Sequence, residues 1–98
     1  MKHLVSYLVA AVVLFAAVQS AQAACYADYK AKQENPLRLH YGVVEIDADP
    51  CRMSGQVRKD VERRVADGGW KVLQVQSVFG DAELEAKKRD AGKFFLRY

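Results

Sequence analysis

The sequence predicts an α+β fold: a three-stranded sheet with one helix packed across one face, in the order strand, helix, strand, strand, behind a short N-terminal arm. Three observations carry this. Residues 37–46 begin with alternating apolar and polar side chains, the period-two signal of a half-buried strand. Val57, Val61 and Val65 recur every four residues between Ser54, a cap, and Gly68-Gly69, a stop, which describes a helix with one apolar stripe. Residues 70–79 and 93–98 are short runs rich in valine and aromatic residues, bounded by glycines, as strands are. A helix stripe and a sheet face are both buried when they are layered on each other.

The elements follow in chain order. Lys2-His3, the apolar run Leu4–Val18 broken only by Ser6, and Ala21-Gln22-Ala23 read as a secretory leader over residues 1–23, cleaved after Ala23. The run is shorter than the ~20 residues that cross a bilayer, so no permanent transmembrane segment is expected. Residues 24–36 are polar, carry Tyr26 and Tyr29, and are expected to form a short helix or an ordered arm ending at Asn35-Pro36. In the strand 37–46, Leu37, Leu39 and Tyr41 are assigned to the core face and Arg38 and His40 to solvent. Val44 and Ile46 carry the opposite parity, so a β-bulge is expected at Gly42. Asp47-Ala48-Asp49-Pro50 reads as a turn and residues 54–66 as the helix. In strand 70–79, Leu73, Val75 and Phe79 are assigned to one face and Trp70, Val72 and Val78 to the other. Asp81–Ala91 is weakly helical with Gly92 as its stop, and Lys93–Tyr98 closes the sheet. The small α+β domain thus spans residues 37–98.

Cys25 and Cys51 are the two cysteines of the chain, so one intramolecular disulfide is available to an exported protein. Closing that loop contributes roughly 3–4 kcal/mol in the chain-entropy model. A redox-active thiol pair lacks the Cys-x-x-Cys spacing, and for lipidation of Cys25 Gln22 stands where such signals place a leucine-like residue. The metal reading lacks ligands at suitable spacing, since His40 stands alone.

The segment Val57–Val78, a charged helix closing on Asp67-Gly68-Gly69-Trp70 and running into Val72-Leu73-Gln74-Val75, resembles the small bacterial domain-of-unknown-function family numbered 4177. The resemblance implies a strand-helix-strand-strand module with a helix-Gly-Trp-strand signature, and Gly92–Tyr98 fits its closing aromatic strand. It implies no catalytic residues. The leader, the two cysteines and the tyrosine-bearing arm depart from the family pattern.

Residues 24–98 carry 14 of the 15 Lys and Arg and all 12 Asp and Glu, a net charge of +2. The basic helix face Arg58-Lys59…Arg63-Arg64 is interrupted by Asp60 and Glu62, which argues against nucleic acid as a partner. Ser54 and Ser77 are the serines of this part of the chain, and neither belongs to a nucleophile motif beside His40, so no enzyme activity, cofactor or metal is expected. The two-sided strand 70–79 is the feature that points to binding. Trp70, Val72 and Val78, with Tyr26 and Tyr29, are the candidate interaction surface, to be covered by the arm, a second subunit in a homodimer, an envelope protein or a small ligand. The functional expectation is an exported, periplasmic or secreted, non-enzymatic protein-interaction or envelope-associated module. A small apolar or aromatic ligand-binding protein is the alternative.

Overall fold

The computed structural model describes residues 23–98; the leader assigned to residues 1–23 lies, but for Ala23, outside the described residues. The chain forms β1 (Cys25–Gln33), β2 (Arg38–Ile46), α1 (Gly55–Asp67), β3 (Lys71–Phe79) and α2 (Leu84–Ala91). One 3-10 turn, Asp81–Glu83, leads into α2 and another, Gly92–Phe94, follows it. The strands make one sheet in the order β2-β1-β3, antiparallel throughout. This is the α+β class with a three-stranded sheet and α1 on one face.

Two strands are as expected, and the third is a different segment. The arm expected at residues 24–36 is β1, the central strand. Its alanines, lysines and glutamine are good helix formers, but intrinsic propensity is a weak prior against burial on two faces. Cys25, Ala27, Tyr29 and Ala31 turn towards α1, while Tyr26 and Asp28 turn to the other side, and all six are buried. The small Ala27 and Ala31 leave room for Val57, Val61 and Val65 in the same core. The closing strand expected at residues 93–98 is absent. That segment makes a single parallel bridge, Val43 to Phe95, with the Leu96 N–H donating to the Val43 carbonyl at 2.8 Å. The order of elements is therefore strand, strand, helix, strand, helix.

Both expected face assignments change as well. β2 pairs with β1 residue for residue from Arg38 to Ile46, so no bulge interrupts it at Gly42. His40, Gly42, Val44 and Ile46 share the α1 face, and Leu37 and Leu39 are exposed. Gly42 lies opposite Tyr29, and a Cβ there would run into the Tyr29 ring and hydroxyl. The glycine is where a side chain must cross, not where the register slips. The bulges are in the β1–β3 pairing, between Asp28 and Tyr29 and between Lys30 and Ala31. Each admits an extra β3 residue, so Val78, Val75 and Val72 stand opposite Ala27, Tyr29 and Ala31 and join one core at a spacing of three.

Local signals hold at α1. The Ser54 hydroxyl accepts from the Val57 N–H at 3.1 Å, and Val57, Val61 and Val65 are buried. Burying each valine contributes roughly 1.5–3 kcal/mol. Gly69, at φ 91°, turns the chain into β3. Cys25 and Cys51 form a disulfide with Cα atoms 5.6 Å apart, within the usual span. It ties the start of β1 to the loop before α1.

The second face of the sheet is held by Asp28. Its buried carboxylate accepts from Tyr41 Oη at 2.8 Å, Ser77 Oγ at 2.6 Å and Lys87 Nζ at 2.8 Å. Those donors come from β2, β3 and α2. Burial alone would raise the Asp28 pKa, but the three donors outweigh it and hold the carboxyl below its ordinary range. Around this point Tyr26, Val43, Phe79 and Ala91 form a second, smaller core, with Leu84 and Phe95 packed against it.

Two substitutions check these constraints by urea unfolding. Gly42→Ala is expected to cost about 2 kcal/mol by overpacking against Tyr29; an unchanged midpoint would show that Tyr29 can leave the glycine freely. Asp28→Ala, which strands Lys87 and two hydroxyls, is expected to cost about 3 kcal/mol, and a loss close to zero would remove Asp28 as the anchor of α2.

Candidate interaction surface

The structure does not gather Trp70, Val72, Val78, Tyr26 and Tyr29 on one surface. Trp70, Val72 and Val78 are partly buried and pack with Tyr29 in the core beneath α1. Tyr26 lies on the opposite face, stacked on Phe79 with ring centroids 5.7 Å apart, its hydroxyl donating to Asp81 at 3.2 Å. The β3 valines Val72, Val75 and Val78 are covered by α1, because the two bulges bring all three to that side, while Phe79 packs in the second core and Leu73 stays exposed.

His40, expected on the solvent face, is instead the centre of an aromatic cluster. The Tyr29 hydroxyl and His40 Nε2 share a hydrogen bond of 2.8 Å. Phe94 stacks on the imidazole with centroids 3.7 Å apart, and Trp70 meets it edge-on at 4.3 Å. Tyr98 closes the group, its carbonyl accepting from Arg64 at 2.8 Å and its ring lying against Gly68. His40 Nδ1 is buried without a partner. Burial, reinforced by the positive charges of Arg97 and Lys93, pushes the His40 pKa down to about 4, so the ring is neutral at pH 7. Burial also pushes the Tyr29 hydroxyl well above its ordinary value. A neutral imidazole bonded to a protonated phenol between stacked rings is a packed core with a polar seam. No group of three or more His, Cys, Asp or Glu side chains able to hold a metal forms among the described residues.

The surface that does stand open is at the other side of the sheet, at its hairpin end. An eight-residue helix is about 12 Å long, whereas a nine-residue strand spans about 30 Å. α2 therefore covers the half of the second face around Tyr26 and Phe79 and leaves the half near the β1–β2 turn bare. There Leu37 is 65% exposed, Leu39 66% and Leu73 52%. Lys30, Leu39, Tyr41 and Leu73 line a shallow cavity of about 320 Å³. The same end carries Lys32, Arg38 and Lys71; Lys32 is bonded to Glu34 at 2.6 Å, and Lys30, Arg38 and Lys71 form no ion pair among the described residues. Sequence reasoning placed Leu37 and Leu39 in the core and missed this site. The available signal was two leucines flanking an arginine directly after Asn35-Pro36, at the tip of a turn.

The closed Cys25–Cys51 bond is the chemistry of an oxidising compartment. No helix among the described residues is long and apolar enough to cross a membrane. A scan against protein-family models, a search of curated proteins and a search of solved structures each return no match.

His40 sets a pH dependence with a definite sign. The unfolded chain takes up the imidazole proton near the ordinary value of 6.5, while the folded chain resists it down to about 4. Between these values the unfolded state binds more protons, so stability falls as pH drops across that window. The depressed Asp28 carboxyl continues the loss at lower pH, as it is protonated. The urea midpoint is expected to decline across the His40 window in the wild type and to decline less in His40→Gln. A flat wild-type profile there would mean that the folded protein accepts the proton.

Proposed function

We propose that this protein is an exported, non-enzymatic interaction module that docks on an envelope component, in the periplasm or outside the cell, through the hairpin end of its sheet. The observation that carries the reading is the group of three exposed leucines, Leu37, Leu39 and Leu73, at one end of a fold whose other large apolar side chains are mostly packed. Export is supported by the basic start, the Leu4–Val18 run and Ala21-Gln22-Ala23, and by the disulfide. Membership of the family numbered 4177 belongs to the same reading and rests on the helix-Gly-Trp-strand segment of residues 57–78.

The shallow cavity favours one second reading, the binding of a small apolar ligand against Leu39, Tyr41 and Leu73. Trp70, Tyr26 and Tyr29, the aromatics that such a site was expected to use, are packed into the two cores.

The test uses the full chain expressed with its leader and a photo-crosslinking residue at Leu39, or at the exposed Arg58 on α1 as control. Adducts, to protein or to lipid, are expected at position 39 and not at 58. Adducts at neither position, or equally at both, would overturn the reading. The intact mass of the recovered protein checks export: a chain beginning at Ala24 and two hydrogens lighter than its reduced form is expected.

A further inference from the structure

We infer that the hairpin end of the sheet docks on the surface of an anionic phospholipid bilayer, an inference that rests on the interaction reading above and names its partner. The residues are Leu37, Leu39 and Leu73, with Lys30, Arg38 and Lys71 around them. Leu37 lies in the turn itself, Arg38 and Leu39 open β2, and Lys71 and Leu73 stand at the start of β3. The fold thus brings apolar side chains and cations from three segments to one tip.

Charge is the first argument for lipid. Lys30, Arg38 and Lys71 form no ion pair among the described residues; Glu34 is bonded to Lys32, and Glu62 lines a groove with Lys71. Lys30, Lys32, Arg38 and Lys71 outnumber these carboxylates, so the tip presents a net positive field to whatever meets it. A second copy docked tip to tip would set these cations against each other, which disfavours self-association there. A negatively charged bilayer surface attracts each of them, by about fivefold in partition per lysine or arginine.

The kind of apolar residue is the second argument. Protein interfaces are enriched in tyrosine, tryptophan and arginine at their centres, with lysine depleted and leucine under-represented among the residues that dominate binding. This tip has three leucines and, besides Arg38, three lysines, Lys30, Lys32 and Lys71, and its aromatic residue, Tyr41, is already bonded to Asp28. Leucines that project from a strand end can enter the acyl boundary, while lysine and arginine stems lie along apolar surface and keep their charges at headgroup level. The basic face of α1 does not compete as a docking surface. Asp60 there is bonded to Arg63 and Arg64, Arg64 also donates to the backbone oxygens of Glu45 and Tyr98, and the helix valines are all buried, so Arg58 and Lys59 have no exposed leucine on the helix beside them.

The experiment is vesicle co-sedimentation of the chain beginning at Ala24, which contains every described strand and helix and the disulfide. Vesicles of phosphatidylcholine and phosphatidylglycerol in equal parts are compared with phosphatidylcholine alone, at low and high salt. Binding is expected to the mixed vesicles at low salt and to weaken at least tenfold without phosphatidylglycerol. Leu39→Ser/Leu73→Ser and Lys30→Glu/Lys71→Glu are each expected to reduce it at least tenfold, with unchanged circular dichroism and a closed disulfide. Equal binding to both vesicle types, no binding to either, or double variants that bind like the wild type would overturn the proposal. The Leu39 crosslinks distinguish lipid docking from docking on a protein. Protein adducts at Leu39 from a chain that ignores vesicles would overturn lipid docking and leave the interaction reading standing. Absence of adducts at Leu39 would overturn both.

Discussion

Asp28 is a carboxylate on the most buried strand of the sheet, and the architecture depends on how it is satisfied. Tyr41, Ser77 and Lys87 donate to it from the two neighbouring strands and from α2. An isolated buried charge would be costly enough to unfold a domain of this size. The three donors turn that cost into a constraint on geometry. β2 and β3 must flank β1 in the observed register for the hydroxyls to arrive, and α2 must lie across the second face for Lys87 to reach. Lys87 also lies 4.9 Å from the centre of the Phe79 ring, so the same side chain covers the second core.

The opposite face is built on a different constraint, the passage of Tyr29 over Gly42 to His40. Because the tyrosine occupies the space a side chain would take on β2, its hydroxyl meets the imidazole, and the imidazole in turn supplies a flat surface for Phe94. The C-terminal segment is thereby held along the outer edge of β2 by stacking and by one backbone bridge, without joining the sheet as a strand. Edge protection follows. The Leu96 N–H occupies the Val43 carbonyl on that side, and the two bulges interrupt the regular pairing of β3 on the other. What remains bare is the hairpin end, because α2 is too short to reach it.

The local elements were largely legible because local chemistry specifies them. Ser54, the valine stripe and Gly68-Gly69 bound α1 to within a residue, and the glycines at 80 and 92 bracket the turn and helix between them. The cysteine pair was legible because a chain with two cysteines has one internal pairing. The sheet was less so. β1 hides its alternation because both of its faces are covered and one uses alanine, so period two appears neither as apolar against polar nor as large against small. In β2, leucines at 37 and 39 imitate a core face while the buried position between them is a histidine. In β3, the spacing of Val72, Val75 and Val78 has no strand period until two bulges are allowed for. The exposed leucines were misassigned for the same reason, since apolar residues in an alternating strand read as core.

The sequence by itself determined which segments bend, cap and stop, the helix with its valine stripe, the availability of one disulfide and the α+β class. These follow from interactions within a few residues or from counting. Tertiary structure alone decided that the N-terminal segment is the central strand, that His40 is buried and Leu39 is not, and that apolar and cationic residues from three segments meet at one bare tip. Those outcomes depend on strand pairing across tens of residues. There, small shifts of register decide which face a side chain occupies, and the length of one short helix decides how much of a face is covered.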